Sequence, residues 1–443
     1  MANIPARMGF RECNARRLGL GLTLAMVSLL TPLGAGCSKP TSDNIQLWKT
    51  TQKGPDRLKE AVGDRSVTPK LRAEAAAALV DIGRAEEGEA ILAGAPAEDR
   101  AAIVKVLIPI DEVAMKDPAP DRALAYRDAL FSLRQFATPE DQKRIDGTLL
   151  PLFEADLKSG RLRVGRHSLD KMLTAVGPEA GTMLAKALSE PIPSYPLAAE
   201  LLGKVGDETA RAAGGAALVA RARKEKDSRP AMWKAMAAIG GAAVNKYLEE
   251  KAQGANKEDA VSAVRALQER RDPAVLPFAL KVAGDGKADK LVRDEMFGVI
   301  EAIGGEPARQ GLLSIISSDK EEMVRYRAFE VMLAAAKADG VIPALEAFPA
   351  GVSYKKVDVD DLLVKLIEKL GPPVRPVLVK ALDSRSPLAR MTAVMTLEQV
   401  GRAEDAPALE KIAKDSTALK GFPAGETIGR EASRVAEVVK KKA

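Results

Sequence analysis

Residues 290–325 read KLVRDEMFGVIEAIGGEPARQGLLSIISSDKEEMVR, and the spacing within them decides the fold. Val292, Met296, Phe297, Ile300 and Ile303 fall at offsets 0, 4, 5, 8 and 11, on one face of a 3.6-residue helix. Gly304 supplies the left-handed residue that ends such a helix. Pro307 follows at a position suited to starting the next one. The second helix runs through Ala308, Leu312, Leu313 and Ile316 and stops at Ser317-Ser318-Asp319. Glu322-Met323-Val324-Arg325 then restarts the pattern. The unit is a helical hairpin.

The same closure recurs along the 443-residue chain. An aliphatic residue precedes glycine at Ile82-Gly83, Val176-Gly177, Val205-Gly206, Ile239-Gly240, Ile303-Gly304, Leu370-Gly371 and Val400-Gly401. The intervals between these glycines are 94, 29, 34, 64, 67 and 30 residues, each near one, two or three steps of about 32. A second marker keeps the same step: Leu71-Arg72, Val292-Arg293, Val324-Arg325 and Ala389-Arg390, with 32 residues from Arg293 to Arg325 and 65 from Arg325 to Arg390. The 46% apolar share, with 29% charged residues of both signs, argues against disorder. No stretch alternates β-branched residues over six or more positions, so strands are not expected.

This pattern resembles the HEAT repeat in its short bacterial form, the phycobilisome-lyase-type HEAT-like repeat. Asp383-Ser384-Arg385-Ser386-Pro387-Leu388-Ala389-Arg390 through Val400-Gly401, and Ser317-Ser318-Asp319 through Arg325, carry the resemblance most fully. It implies an all-α solenoid of roughly a dozen helical hairpins over residues 45–443. The Asp and Arg of successive units form a ladder between neighbouring loops in that family. Asp319 with Arg325, and Asp383 with Arg390, occupy the matching places and are implied to be structural. The repeat markers vanish across 111–163, although Leu124, Leu130, Leu133 and Phe136 still read as helix. Residues 347–358 and 415–430 are longer than a hairpin turn needs, and unusual loops on a solenoid are where binding concentrates.

The amino terminus reads as an address. Arg7, Arg11, Arg16 and Arg17 stand against Glu12, and an uncharged apolar run follows from Leu18 to Gly36. This is the layout of a bacterial export signal. Leu33-Gly34-Ala35-Gly36-Cys37 resembles the lipobox of bacterial lipoproteins, with Gly34 standing where the usual pattern has leucine. The resemblance implies that 1–36 are removed and that the Cys37 thiol carries a diacylglycerol. An uncleaved membrane helix and an ordinary secretory signal are the competing readings. Residues 37–44 then form a lipidated tether. Ser38 stands where the inner-membrane retention signal of enteric bacteria would have Asp, so the expected location is the outer membrane, facing the periplasm.

Chemistry-bearing motifs are sparse. Two cysteines and one histidine cannot make a four-ligand Cys/His zinc site or the two-histidine zinc-peptidase pattern. His167 lies among Arg161, Arg163 and Arg166 and reads as an exposed surface residue; with Lys158 these arginines form a local basic patch. Asp358, Asp360 and Asp361 lack the glycine and glutamate of a calcium loop. Trp233 falls on the apolar face of Met232, Met236 and Ile239 and reads as core; Trp48 could anchor a partner. No GxxxxGK[ST] phosphate loop occurs. Without residues 1–36 the chain has 63 Lys and Arg against 60 Asp and Glu, too near balance to suggest nucleic acid.

The expected function is that of a membrane-anchored lipoprotein acting as a non-catalytic scaffold for one or more proteins of the bacterial cell envelope, with no cofactor. The alternative is an enzyme or enzyme accessory of the HEAT-like bilin-lyase type, which rests on fold analogy alone.

Overall fold

The hairpin at 290–325 folds close to its reading. The computed structural model describes residues 39–225, 229–318, 320–349, 360–418 and 426–442. Helix Lys290–Ile303 buries Val292, Met296, Phe297 and Ile300, with Arg293 among them. Asp289 caps it, its side chain accepting from the Leu291 amide at 3.0 Å. Gly304 ends it at φ +64°, and helix Gly305–Ser318 returns, burying Ala308, Leu312, Ile315 and Ile316. Ile303, expected to complete the buried face, is only partly covered. The second helix starts three residues earlier than Ala308 because glycine and Glu306 tolerate the first turn ahead of Pro307.

Helices built this way follow one another from Ser42–Trp48 to Ile428–Lys440. Most pack on the next and on the next but one, in two rows around one continuous core. The chain is an all-α solenoid. Several helices open on a hydroxyl cap followed by proline: Thr68-Pro69, Thr138-Pro139 and Ser386-Pro387. Each cap oxygen accepts a backbone N–H that the helix leaves unpaired, and the proline has none to leave.

The period appears directly in the polar contacts between neighbouring units. Ser42 with Glu74, Lys49 with Asp81, Glu112 with Arg144, Lys158 with Glu190 and Lys257 with Asp289 all join residues 32 apart. The arginine marker contributes a different link. Arg293 grips Glu321 through both Nη atoms at 2.9 and 2.6 Å. Arg390 donates its Nε to Asp415 at 2.8 Å. Each arginine therefore reaches forward to an acid opening the next unit.

The stretch 111–163 is helical, in long pieces: Ala97–Ala114, Pro120–Leu133 and Pro139–Ser159. Glu112, near the end of the first, meets Arg144 and Thr148 in the first half of the third. Glu154 and Lys158, in the second half of the third, meet Lys186 and Glu190. One long helix thus carries its neighbours at two levels, and the stack is stepped there. The expectation of no strands is corrected just beyond: Arg163–Val164 and His167–Ser168 pair as a two-residue antiparallel ladder. The turn needs Gly165 at φ +75°, with the Asp128 carboxylate filling the space a Cβ would occupy. Such a ladder is too short for alternation to announce it.

The first helix begins at Ser42, so the folded part starts before residue 45. The segment 1–36, Cys37, Asp319 and residues 350–359, which hold most of the loop 347–358, lie outside the described residues. So do residues 419–425 of the loop 415–430, whose flanks are tied by Ile428 N–H to Thr417 O and Gly429 N–H to Asp415 O at 3.1 and 2.9 Å.

Candidate binding groove

The most polar interior of the molecule lies in the irregular stretch. Asp111, Arg127, Asp128, Asp146 and Asp156 are all buried, against Arg72, Arg293 and Asp405 elsewhere among the described residues. Arg127 meets Asp156 at 2.5 Å, and Arg134 holds Asp146 at 2.8 and 3.1 Å. These pairs knit helix Pro120–Leu133, and the turn that follows it, to helix Pro139–Ser159.

Asp81 organises the surface above them. It ends helix Pro69–Asp81 and is met by Lys49 Nζ at 3.0 Å, Arg122 Nε at 2.9 Å and the Tyr126 hydroxyl at 2.9 Å. Arg122 also reaches Asp117. Burial raises the Asp81 carboxyl, but the hydrogen bonds from Arg122, Lys49 and Tyr126 outweigh it and hold the pKa below the ordinary aspartate value. Burial and then the Asp81 charge push the Tyr126 phenol up. Asp111 lies below the network, 1% exposed, with Oδ1 unbonded. Burial first, then the like charges of Asp81, Glu112 and Glu89, push its carboxyl well above the usual range, toward the protonated form.

Two hollows of about 510 and 550 Å³ adjoin here, sharing Pro109, Ile110, Arg122 and Tyr126 as walls. Their floor is apolar: Ala77, Ala78, Val106, Pro109 and Ile110, with Val113 72% exposed at the far lip. Their rim carries Lys49, Lys70, Glu74, Asp81, Lys116 and Asp117. Pro109 lies inside its helix and cannot donate to the Lys105 carbonyl, which loses its intrahelical partner. On the rim Asp81 is saturated by Lys49, Arg122 and Tyr126, Asp117 is met by Arg122 and Glu74 by Ser42, while no ion pair engages Lys70 or Lys116 among the described residues; Tyr126 is held protonated. An apolar floor ringed by charges of both signs is the anatomy of a protein-binding patch.

The residues singled out in the sequence lie elsewhere. Arg390 pairs with Asp415, one unit forward, and Asp383 is held by Lys411 at 2.8 Å. Arg325 follows Glu322 and Met323 in helix Glu322–Ala336, outside the groove. His167 is half-buried rather than exposed, edge-on to Phe131 at 5.0 Å and 3.3 Å from the Ser132 hydroxyl. The basic patch is dispersed: Arg161 meets Asp156, Lys158 meets Glu154 and Glu190, and Arg166 meets Glu89 at 2.6 Å. Trp233 is core, 6% exposed, stacked on Tyr247; Trp48 is also buried, with Arg57 over its ring. Among the described residues no three His, Cys, Asp or Glu side chains cluster to hold a metal ion, and no helix is long and apolar enough to cross a membrane.

Asp111, Arg122 and Tyr126 escaped the sequence reading, yet a signal was present. Ile103, Leu107, Ile108, Asp111 and Ala114 repeat the offsets 0, 4, 5, 8 and 11 of the hairpin at 290–325. Asp111 stands where that unit has Ile300, a carboxyl in a core position.

Residues 356–419 match the model of HEAT repeats. No curated protein matches the chain. Similar solved structures include an engineered protein at 17% identity, covering 91% of this chain and 99% of that one with a TM-score of 0.28. Importin beta, crystallised in a polyethylene glycol condition, is 12% identical, covering 89% of this chain and 62% of its own length, with a TM-score of 0.32. Human deoxyhypusine hydroxylase in complex with glycerol is 15% identical, covering 76% and 97%, with a TM-score of 0.18. The chain is an all-α solenoid in which residues 356–419 are similar to HEAT repeats.

Proposed function

We propose that the protein is a lipid-anchored, non-catalytic scaffold of the bacterial cell envelope, which binds a protein partner in the groove between Lys49 and Tyr126. The observation that carries this reading is the groove itself. Its apolar floor, open at Val113, is bordered by the Asp81 ion pairs, already satisfied within the chain, and by Lys70 and Lys116, which no ion pair engages among the described residues. The satisfied part of the rim orients a partner at little desolvation cost, while Ile110, Pro109 and Val113 supply the area worth burying. Anchoring is supported by the sequence up to Cys37, and the outer membrane by Ser38.

Two measurements test the two halves. Cys37→Ser abolishes acylation and moves the protein to the aqueous phase of a detergent partition; wild-type protein already in that phase overturns the anchor. For binding, crosslinking in intact cells followed by mass spectrometry identifies a neighbour of the wild type that Ile110→Asp loses while its far-UV circular dichroism stays unchanged. An identical crosslinked set in both overturns the groove.

A further inference from the structure

A repeat array leaves its first helix without a neighbour on one side, and that face has to be polar for the array to stay soluble. Helix Ser42–Trp48 departs from this rule. Ile45 and Trp48 turn inward, Gln46 faces the groove, and the outer face carries Asp43 and Leu47, the latter 59% exposed. Lys39 precedes this helix and Lys53 follows it; both are exposed. No ion pair engages them among the described residues, whereas Lys49 and Lys59 are paired with acids.

The charge distribution points the same way. Residues 37–70 hold seven Lys and Arg against four Asp and Glu, and residues 71–443 balance at 56 of each. All the net charge left after Cys37 therefore lies in the first two hairpin elements. Five residue steps separate Cys37 from Ser42, about 17 Å at full extension. An acyl chain on Cys37 would hold the uncovered face of the first helix at the bilayer surface.

We infer that this amino-terminal end of the solenoid rests on an anionic phospholipid surface, with Leu47 at the interface and Lys39 and Lys53 against the headgroups. The inference rests on the anchor reading for its distance limit. It adds an orientation: the axis of the array rises from the membrane and presents its later hairpins away from it. Anionic lipid attracts lysines held within a Debye length, and an interfacial leucine adds apolar burial.

The test uses the processed, lipidated protein in vesicles of phosphatidylglycerol and phosphatidylethanolamine. Cys13 is removed with the signal and Cys37 is acylated, so Leu47→Cys carries the single reactive thiol. An environment-sensitive fluorophore there is expected to shift to the blue and to lose at least half its intensity to brominated lipid. The same fluorophore at Leu291→Cys or Met323→Cys, both exposed apolar positions far along the chain, is expected to do neither. Lys39→Glu and Lys53→Glu together are expected to remove the quenching at 47 while acylation persists. Equal signals at 47 and 291 in an acylated protein overturn the docking alone. A blue shift at 47 without lipid quenching means that a second copy or a partner covers Leu47, and also overturns it. An amino-terminal peptide whose mass shows no acyl group overturns the anchor and the docking together.

Discussion

The hairpin at 290–325 and the stretch at 97–168 start from the same helical phase and build different structures. In the first, every position of the phase except the last is buried and apolar, the helix ends at a left-handed glycine, and one arginine links it forward to the next unit. In the second, the equivalent of Ile300 is Asp111, two of the three long helices contain a proline, and buried charges replace aliphatic packing. A two-residue ladder then carries Arg166 back over Asp128 to Glu89, 77 residues away. The comparison separates two uses of one repeat. The later hairpins are an additive stack, while the earlier stretch is cross-tied and holds the groove.

The largest expected effect breaks the additive half. Phe297 is fully buried, and Phe297→Ala should cost about 3–5 kcal/mol. Because each unit contacts only its neighbours, hydrogen exchange should accelerate across roughly 276–333 and leave 69–94 protected. Uniform loss of protection along the chain would show that the stack is not additive.

Next in size is the buried carboxyl. The folded pKa of Asp111 is raised, so the stability it contributes is complete below the ordinary aspartate value and is lost as pH rises toward the folded one. Asp415 behaves in the opposite sense. Burial raises its carboxyl, but Thr417 and Arg390 outweigh this, so its contribution is present above the ordinary value and lost on acidification. Hydrogen exchange should therefore show the helices around 97–133 loosening as pH rises from 4 to 8, while those around 387–440 hold across that range and loosen only as pH falls below the ordinary aspartate value. Asp111→Asn should remove the first trend, because the amide has no proton to lose as pH rises. Trends of the same sign in both regions would contradict the contrast.

The smallest effect concerns the tie. Arg166→Ala removes partly exposed ion pairs worth about 0.2–1 kcal/mol. Protection should nevertheless fall together in Ala85–Gly94 and Pro120–Leu133, which the arginine joins. A change limited to residues 163–168 would show that the ladder is an ornament on the stack.

How much of this was legible follows from the same contrast. Where glycine and arginine punctuate the chain, local rules and tertiary packing agree, and the sequence read helix, closure and period correctly. Gly206 and Gly401 mark closures of another kind, with φ of −71° and −70°. Glycine is required there because a Cβ would stand 2.6 and 2.4 Å from the carbonyl oxygens of Leu202 and Leu397. The forward direction of the arginine links was not visible, because Asp383 and Asp415 are equally acidic and only packing chooses between them. The groove was hidden for a related reason. Asp81, Arg122 and Tyr126 are dispersed over 45 residues and look like solvated surface until two rows of helices bring them together. His167 was misread as exposed because the ladder that half-buries it is two residues long on each side.

The division of labour between the two regions meets its most direct test in one pair of photo-crosslinking residues. Val113 and Leu291 are both exposed aliphatic side chains, 72% and 52% accessible, one at the lip of the groove and the other on the regular stack. With a photoreactive residue placed at each in turn in living cells, position 113 should yield a discrete protein adduct that Ile110→Asp abolishes, and position 291 should yield none. Adducts of equal yield at both positions, or an adduct at 291 alone, would contradict the assignment of binding to the amino-terminal groove.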